Sequence, residues 1–466
     1  MRKMSKSQLC VAASVLALSV GMGAPAHAQE SSGVSLQALQ DQVNSLQKQL
    51  VQLQAAQEKS AKAVATGRRA AKEATPSNVV TVDEKGAFKL PGGTTIKIGG
   101  YVKADAIHDL SNRPTVTGTT SADSDVTNFV TIPTSNDNVL GRRHNATRFD
   151  ARQSRINITS STPTAYGPVG VVIETDFFGT GGTALTTNSY GVRLRRAFGT
   201  FYGFLIGQEW TSFGDNAQSP ELLDFNGPAG QTAMRQAQIR YTYDLKDGNT
   251  VFAALENPES DVDTTSTSAT ATTINHYPDL IAGWKHQAGW GHFGLRGLVR
   301  NNAVKSSPGD ASVYDDETWG YGLAASGRFK PFVDEKAAYA KDSFMFLIQG
   351  GTGIGRYVAE GVSLAAATDS SKNLHALTTW GGNVGYQHFW ADGLRSSVVY
   401  GHSQTTLKSF MPAGAHKRSD SVHANLIWSP VPSVDLGFEY CWGRAEDKNN
   451  AEGFMNRLQA SAAYRF

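Results

Sequence analysis

The 466-residue sequence contains little charge, few cysteines and no long apolar run. Charged residues make up 18% of the chain, below the roughly 25% that is usual in soluble domains. No uninterrupted apolar stretch reaches the roughly 18 residues that a membrane-spanning helix needs. These absences exclude a helical membrane bundle and argue against a soluble helical enzyme. Low charge without long apolar runs favours β-structure in which apolar and polar side chains alternate.

The first 28 residues have the three parts of a secretory signal peptide. A basic start is followed by an apolar run from Leu9 to Val20 and by the small-residue cleavage site Ala26-His27-Ala28. We expect residues 1–28 to be removed on export, which changes the formal net charge from +2 to −1 and gives no reason to expect a nucleic-acid partner. Of the two cysteines only Cys441 then remains, so the mature chain cannot form an internal disulfide.

A helical repeat follows the cleavage site in residues 29–59. Six apolar residues recur with the spacing of a heptad seam: Leu36, Leu39, Val43, Leu46, Leu50 and Leu53. Three heptads without a partner in the same chain would expose a leucine stripe to water, so the pattern predicts a coiled coil between identical chains. The alternative is a single amphipathic helix packed on the following domain. Residues 60–93, which contain Thr75-Pro76-Ser77, have the composition of a linker.

From residue 94 to residue 466 apolar and polar residues alternate with a period of two. In the last stretch, for example, every second residue from Leu458 to Phe466 is apolar. Long polar connections alternate with short turns, and the long ones lie at about residues 110–145, 179–189, 212–230, 257–277, 301–316, 356–376, 404–419 and 443–452. Because each long connection joins two strands, the sequence predicts 16 antiparallel strands of about 10 residues.

This alternation fits a transmembrane β-barrel, because a sheet in a membrane must close on itself to satisfy its edges. A soluble β-sandwich has the same alternation. The export signal, the unequal loops and tryptophans near strand ends, such as Trp284, Trp380 and Trp428, decide between the two. The predicted fold is therefore an all-β transmembrane barrel of about 16 antiparallel strands with an N-terminal α-helical coiled-coil extension. We expect the barrel in the outer membrane and the coiled coil in the periplasm, since the barrel domain starts and ends on the short-turn side.

Several segments resemble the DcaP-like porins of Gram-negative outer membranes. They are Phe88–Gly92 with Ile98–Lys103, the stretch Ala151-Arg152-Gln153-Ser154-Arg155, and Gly207–Phe213. The resemblance covers almost all of the mature chain. It implies a homotrimer of 16-stranded barrels that passes small anionic solutes such as dicarboxylates. The terminal aromatic residue, Phe466, is general to outer-membrane barrels and implies recognition of the last strand by the barrel-assembly machinery.

The phase of each strand identifies side chains that would line an aqueous lumen. In Arg155-Ile156-Asn157-Ile158 the isoleucines face lipid, so Arg155 faces the channel. The same reasoning gives the pore-lining candidates Lys103, Asp105, Arg155, Glu174, Asp176, Arg193, Arg195, Arg240 and Arg296, to which the long loop 212–230 adds Asp215, Glu221 and Asp224. Arg152 and Arg196 are out of phase and require a bulge or a position at the membrane edge.

An arginine wall facing an acidic loop would form a constriction that prefers anions, because guanidinium groups attract and orient carboxylates. The alternative is that these charges only pair with one another and hydrate the lumen. No catalytic, metal or cofactor site is predicted. The glycine-rich run 350–355 lacks the Lys-Ser/Thr of a phosphate-binding loop, the histidines lack metal-ligand spacing, and Cys441 has no evident catalytic partner.

We therefore expect a non-enzymatic porin in contact with outer-membrane lipid, which lets small hydrophilic anionic or neutral solutes diffuse passively. The alternative is a structural protein that links the membrane to the cell wall through its coiled coil. Liposome swelling separates the two hypotheses, because only a porin admits sugars and dicarboxylates.

Overall fold

The structure, a computed structural model, describes residues 81–82, 86–111, 127–134, 145–179, 187–264, 271–307, 315–331, 338–358 and 364–466, with the isolated positions 44, 48, 52 and 55. Contacts within the chain divide it into two units, residues 1–74 and residues 75–466. The signal peptide and the six heptad residues lie outside the described residues, so the coiled coil stays a prediction. No helix in the described part of the chain is long and apolar enough to cross a membrane.

Sixteen antiparallel strands form one closed sheet. Each strand pairs with the next along the chain, and the last pairs with the first. The strands are β1 Thr95–Ser111, β2 Ala146–Asp150 and Arg155–Thr162, β3 Val169–Asp176, β4 Arg193–Phe201, β5 Phe204–Trp210, β6 Arg235–Lys246, β7 Asn249–Glu256, β8 Ala271–Ile274 and Asp279–Ala288, β9 Gly291–Ser306, β10 Asp315–Phe329, β11 Ser343–Thr352, β12 Thr378–Ala391, β13 Leu394–Thr406, β14 His416–Val431, β15 Val434–Asp447 and β16 Glu452–Arg465. The predicted 16-stranded barrel is thus confirmed.

Alternation along the strands separates an apolar outer face from a polar inner face. On β9, the outward Val299 is 44% exposed, whereas the adjacent Arg300 is completely buried. On β10, the outward Tyr321 and Leu323 are even more exposed. Large apolar side chains cover the outside and charged side chains are buried inside, which reverses the arrangement of a soluble protein and is expected where lipid surrounds a polar lumen.

The two ends of the barrel differ in the length of their connections. At one end, two-residue turns join β4 to β5 and β6 to β7, and both residues of each turn have positive φ: 50° at Tyr202, 84° at Gly203, 49° at Asp247 and 76° at Gly248. Such turns match the twist of the flanking strands. β1 begins and β16 ends at this same end. The longest connections, between β1 and β2, between β5 and β6 and between β11 and β12, all lie at the opposite end, which is the extracellular end in outer-membrane barrels.

The strands extend farther than predicted at three loops and at the N-terminal side. β9 continues to Ser306, β13 to Thr406 and β15 to Asp447, so the connections expected at 301–316, 404–419 and 443–452 are shorter. Polar composition alone does not distinguish a strand that extends above the membrane from a loop. The predicted linker also ends earlier, because Phe88–Lys89 pairs with the start of β1 beside the point where β16 stops.

Candidate functional site

The loop between β5 and β6, residues 211–234 (loop L3), folds into the barrel. Its Asp215 carboxylate accepts a hydrogen bond from the Ser326 hydroxyl at 2.7 Å. The same carboxylate lies 2.9 Å from Nε2 of His292 and 3.2 Å from Nη2 of Arg296. These partners belong to β9 and β10, four and five strands away from β5. L3 therefore runs through the lumen instead of covering the mouth of the barrel.

The tip of L3 is held by the strands on which the barrel closes. The backbone N–H groups of Leu223 and Asp224 donate to the carboxylate of Glu439 on β15, at 2.7 and 3.2 Å. The carbonyl oxygen of Leu223 accepts hydrogen bonds from Nζ of Lys103 on β1, at 2.7 Å, and from Nε2 of Gln459 on β16, at 2.9 Å. Each of these lumenal side chains satisfies a backbone group of the loop, so the tip position is fixed by hydrogen bonds.

Glycines on the lumenal face make room for L3. A Cβ atom on Gly437 would lie 2.8 Å from the Leu223 side chain, and one on Gly401 would lie 2.4 Å from the carbonyl oxygen of Ala229. The N–H of Ala229 also donates to the Ser421 hydroxyl at 2.9 Å. The loop thus lies directly against the wall at places where the strand has no side chain.

A cavity of about 400 Å³ remains between L3 and the strands β2 to β6. Four of its lining residues on the barrel wall are arginines: Arg155, Arg193, Arg195 and Arg235. The other lining residues are Gln153, Trp210, Asn216, Ser219, Phe225, Asn226, Gln231 and Ala233. None of them is acidic, so every charged group that lines this part of the lumen is positive.

Carboxylates behind the arginines fix their orientation. Asp176 accepts two hydrogen bonds from Arg193, at 2.9 and 2.7 Å, and one from Arg195 at 2.7 Å. Glu174 accepts a hydrogen bond from Arg195 at 2.8 Å and lies 3.6 Å from Arg155. The side chains of Arg193 and Arg155 are 33% and 20% exposed, whereas that of Asp176 is fully buried. The guanidinium groups, and not the carboxylates, therefore face the cavity.

Arg235 is the arginine of the cavity whose charge is least compensated. Among the described residues, no carboxylate lies within 4.0 Å of its guanidinium group, and its buried Nη1 has no hydrogen-bond partner. The group lies over the ring of Trp210, 4.9 Å from the centroid. An aromatic face holds a guanidinium group without neutralising it. Alternation does not predict that Arg235 lines the lumen, because Arg235 is the first residue of β6 and is out of phase with Arg240. The only sequence signal for its role is its position directly after L3.

The acidic residues of L3 do not face the arginine cavity, which corrects the predicted arrangement. Asp215 pairs with Arg296, so both anchor the loop and neither lines the cavity. Glu221 binds Arg395 of β13 through both carboxylate oxygens, at 2.7 and 2.5 Å. Asp224 accepts a hydrogen bond from the backbone N–H of Thr127 at 3.2 Å. Asp224 also lies 3.7 Å from Arg457 of β16, so the cations nearest to the three acids lie on β9, β13 and β16 and not beside the arginine cavity.

The remaining predicted pore residues lie away from the arginine cavity, next to L3. Lys103 and Asp105 form an ion pair of 3.1 Å under the tip of L3. Arg240 contacts the hydroxyl of Ser212 at 3.4 Å, at the start of L3. These groups support the loop and do not line the cavity.

The two out-of-phase arginines have different explanations. The register between β3 and β4 shifts beside Glu174, so Arg195 and Arg196 both reach the lumen, where Arg196 donates to Glu209 at 2.7 Å. Arg152 lies in the interruption of β2 between Asp150 and Arg155.

Cys441 has neighbours that the sequence did not reveal. Nδ1 of His423 lies 3.1 Å from Glu439, and its Nε2 lies 3.9 Å from Sγ of Cys441. All three side chains are buried, and Phe129 and Ala229 belong to the same buried apolar cluster as Cys441, so this cluster supports L3. In the described part of the chain, no group of His, Cys, Asp and Glu side chains is arranged to hold a metal ion.

Comparison with known proteins agrees with this architecture. The profile of the DcaP outer membrane protein family matches residues 24–466, whereas no curated protein matches significantly. The crystal structure of the outer membrane channel DcaP of Acinetobacter baumannii is similar, with a TM-score of 0.68 and 24% identity over 81% of this chain and 99% of that chain. The anion-selective porin from Comamonas acidovorans shares the fold, with a TM-score of 0.52 and 11% identity over 80% of this chain and all of that chain. The chain therefore belongs to the DcaP outer membrane protein family.

Proposed function

We propose that this porin of the outer membrane lets small hydrophilic solutes diffuse passively and prefers anions. The observation that supports the preference is the cavity beside L3, which four arginines line and no carboxylate lines. An anion in this cavity is attracted by every charged side chain it meets, and a cation is repelled. Single-sign charge in a narrow lumen is a general source of ion selectivity.

The arginines can favour anions without trapping them. Arg193 and Arg195 are held by buried carboxylates, so little side-chain freedom is lost when a solute arrives. A guanidinium group offers two parallel donors to a carboxylate, and water in the lumen weakens each contact. A small dicarboxylate can meet two of these arginines at once, so we include dicarboxylates among the proposed solutes.

Planar-bilayer reversal potentials in a salt gradient test the preference. We expect the wild-type channel to be anion-selective and the variant with Arg193→Ala and Arg195→Ala to lose part of that selectivity. Cation selectivity that the double substitution leaves unchanged would contradict the proposal.

The heptad residues support the proposed association of identical chains through a periplasmic coiled coil, and the resemblance to the DcaP-like porins supports a proposed trimer. Phe466 exchanges two backbone hydrogen bonds of 3.2 Å with Gly100 on β1 and so completes the closure of the barrel. The resemblance to outer-membrane barrels supports the proposal that the barrel-assembly machinery recognises β16. We propose no enzymatic activity for this chain.

A structural tether is the second candidate function, and the heptad repeat favours it. A tether needs no permeable lumen. Liposomes that contain the protein should swell in sugars and dicarboxylates if it is a porin, and little or no swelling would favour the tether.

A further inference from the structure

A second cavity adjoins the arginine cavity on its extracellular side. This vestibule has a volume of about 600 Å³ and shares the lining residue Arg235 with the arginine cavity. Its lining also includes Asn257 and Glu259, which come just after the last residue of β7. Because β7 starts at a two-residue turn, its last residue lies towards the opposite, extracellular end of the barrel.

A third cavity adjoins the arginine cavity on its periplasmic side. This exit chamber has a volume of about 200 Å³ and shares the lining residue Gln153 with the arginine cavity. The barrel wall contributes Asp435, the second residue of β15, and Arg465, the last residue of β16. Both lie at the short-turn end. The tip of L3 contributes Leu222 and Leu223.

The three cavities follow one another from the extracellular side to the periplasmic side. Their volumes fall from about 600 Å³ in the vestibule to about 400 Å³ beside the arginines and about 200 Å³ in the exit chamber. A solute that has reached the arginines therefore meets less space ahead of it than it has left behind. The narrowest of the three sections lies between the arginine cavity and the periplasm.

Gln153 lies at the junction of the arginine cavity and the exit chamber, in the interruption of β2. Residues 151–154 form a turn in which the N–H of Ser154 donates to the carbonyl oxygen of Ala151 at 3.0 Å. The Ser154 hydroxyl accepts a hydrogen bond from the N–H of Lys103 at 3.0 Å and donates to the carbonyl oxygen of Lys103 at 3.2 Å. These bonds replace the sheet ladder between β2 and β1, so the backbone on both sides of Gln153 is held in place.

Lys103 also fixes the Gln153 side chain. Its ammonium group donates to Oε1 of Gln153 at 2.5 Å and to the carbonyl oxygen of Leu223 at 2.7 Å. The same ammonium group lies 3.1 Å from the carboxylate of Asp105. Hydrogen bonds from a charged donor are stronger than those between neutral groups. One buried cation therefore ties the wall residue Gln153 to the tip of L3.

We propose that Gln153, positioned by Lys103, sets the size limit for solutes at the junction of the arginine cavity and the exit chamber. The amide is neutral and Lys103 is paired with Asp105, so this junction selects by size and leaves selection by charge to the arginines. The inference rests on the proposed passive diffusion through the lumen, and it adds the residue that stops the larger solutes.

Liposome swelling in neutral sugars of increasing size, from a pentose to a trisaccharide, tests the proposal with the full chain. Gln153→Ala removes the amide, so we expect faster swelling in the larger sugars relative to the pentose. Gln153→Trp places a larger side chain at the same position, so we expect slower swelling in the larger sugars. Both variants lose the hydrogen bond to Lys103, and opposite effects therefore distinguish a size limit from a side chain that only anchors L3.

The same substitution in each of the other two cavities provides matched controls. Gln231→Ala enlarges the arginine cavity and Gln208→Ala enlarges the vestibule, since these glutamines line them. Neither variant should change the size dependence. Heat-modifiable electrophoretic mobility verifies that every variant is folded.

An unchanged size dependence in both Gln153 variants would overturn the proposal, and so would faster swelling in both. An equal gain in Gln231→Ala would also overturn it, because the arginine cavity would then limit the size. Reversal potentials of the same channels separate this proposal from the proposed function, since Gln153→Ala should keep the wild-type charge preference. Cation selectivity of the wild type together with the expected size effects would count against the proposed anion preference alone. Absence of wild-type swelling in every sugar would overturn both passive diffusion and the size limit.

Discussion

Replacing Arg235 with glutamine tests whether an uncompensated guanidinium group sets the charge preference. The cavity of about 400 Å³ has the volume of a sphere about 5 Å in radius, so a monovalent ion at its centre lies about 5 Å from Arg235. At the dielectric constant of water and physiological screening, one charge at that distance contributes about 0.4–0.8 kcal/mol. Arg235→Gln removes this attraction for an anion and the equal repulsion for a cation. Because the two effects add, we expect the anion-to-cation permeability ratio to fall about fourfold to fifteenfold.

The assay is the single-channel reversal potential in planar bilayers under a potassium chloride gradient. Arg235→Lys retains the charge and should keep most of the selectivity. Lys341→Gln is the control for a remote charge, because Lys341 pairs with Asp392 in exposed positions at the short-turn end, and it should change nothing. If Arg235→Gln leaves the permeability ratio unchanged, the arginine cavity is not on the conduction path and the reasoning fails.

Three further predictions concern the loops. Gly437→Val should lower single-channel conductance, because its Cβ would meet Leu223 at 2.8 Å and displace L3 from β15 towards the arginine cavity; such overpacking costs about 1–3 kcal/mol. Gly289→Val, with open space around it, is the control. Asp215→Asn should increase conductance noise, since it weakens the anchor of L3 to Arg296 by about 1–3 kcal/mol; quiet channels would refute this. The hydrogen bond from His375 lowers the pKa of Asp369 to about 2 from 3.8. The ionised Asp369 therefore stabilises the loop after β11 fully above about pH 4, and this stabilisation is lost as the pH falls towards 2. Pepsin cleavage of that loop should therefore rise over this range in wild type and vary less in Asp369→Asn.

The strand pattern could be predicted because its cause is local. Each outward residue must be apolar to contact lipid, and each inward residue is free to be polar. Ile156 and Ile158 therefore determine the direction of Arg155, and Leu194 does the same for Arg193, without knowledge of any other strand. Arg152 and Arg196 do not fit the alternation and therefore indicated irregular strands. The structure has these irregularities in β4 and in the interruption of β2.

The loop contacts could not be predicted because their partners are distant in sequence. Asp215 meets Ser326 across 111 residues, and Leu223 meets Glu439 across 216 residues. Nothing near Asp215 distinguishes a carboxylate that faces the channel from one that anchors the loop. Glycines in the inward phase, such as Gly401 and Gly437, are a signal that a loop approaches the wall, but they do not identify which loop.

The sequence by itself determined the class of the protein: an exported chain with 16 alternating strands, long loops on one side and a polar lumen. This follows because lipid outside and water inside act on each residue separately. Only the tertiary structure decided that L3 enters the lumen, that its acids bind the far wall, and that four arginines are left facing a cavity without carboxylates. Charge pairing depends on which groups come within a few ångströms, and closure of the barrel alone brings those groups together.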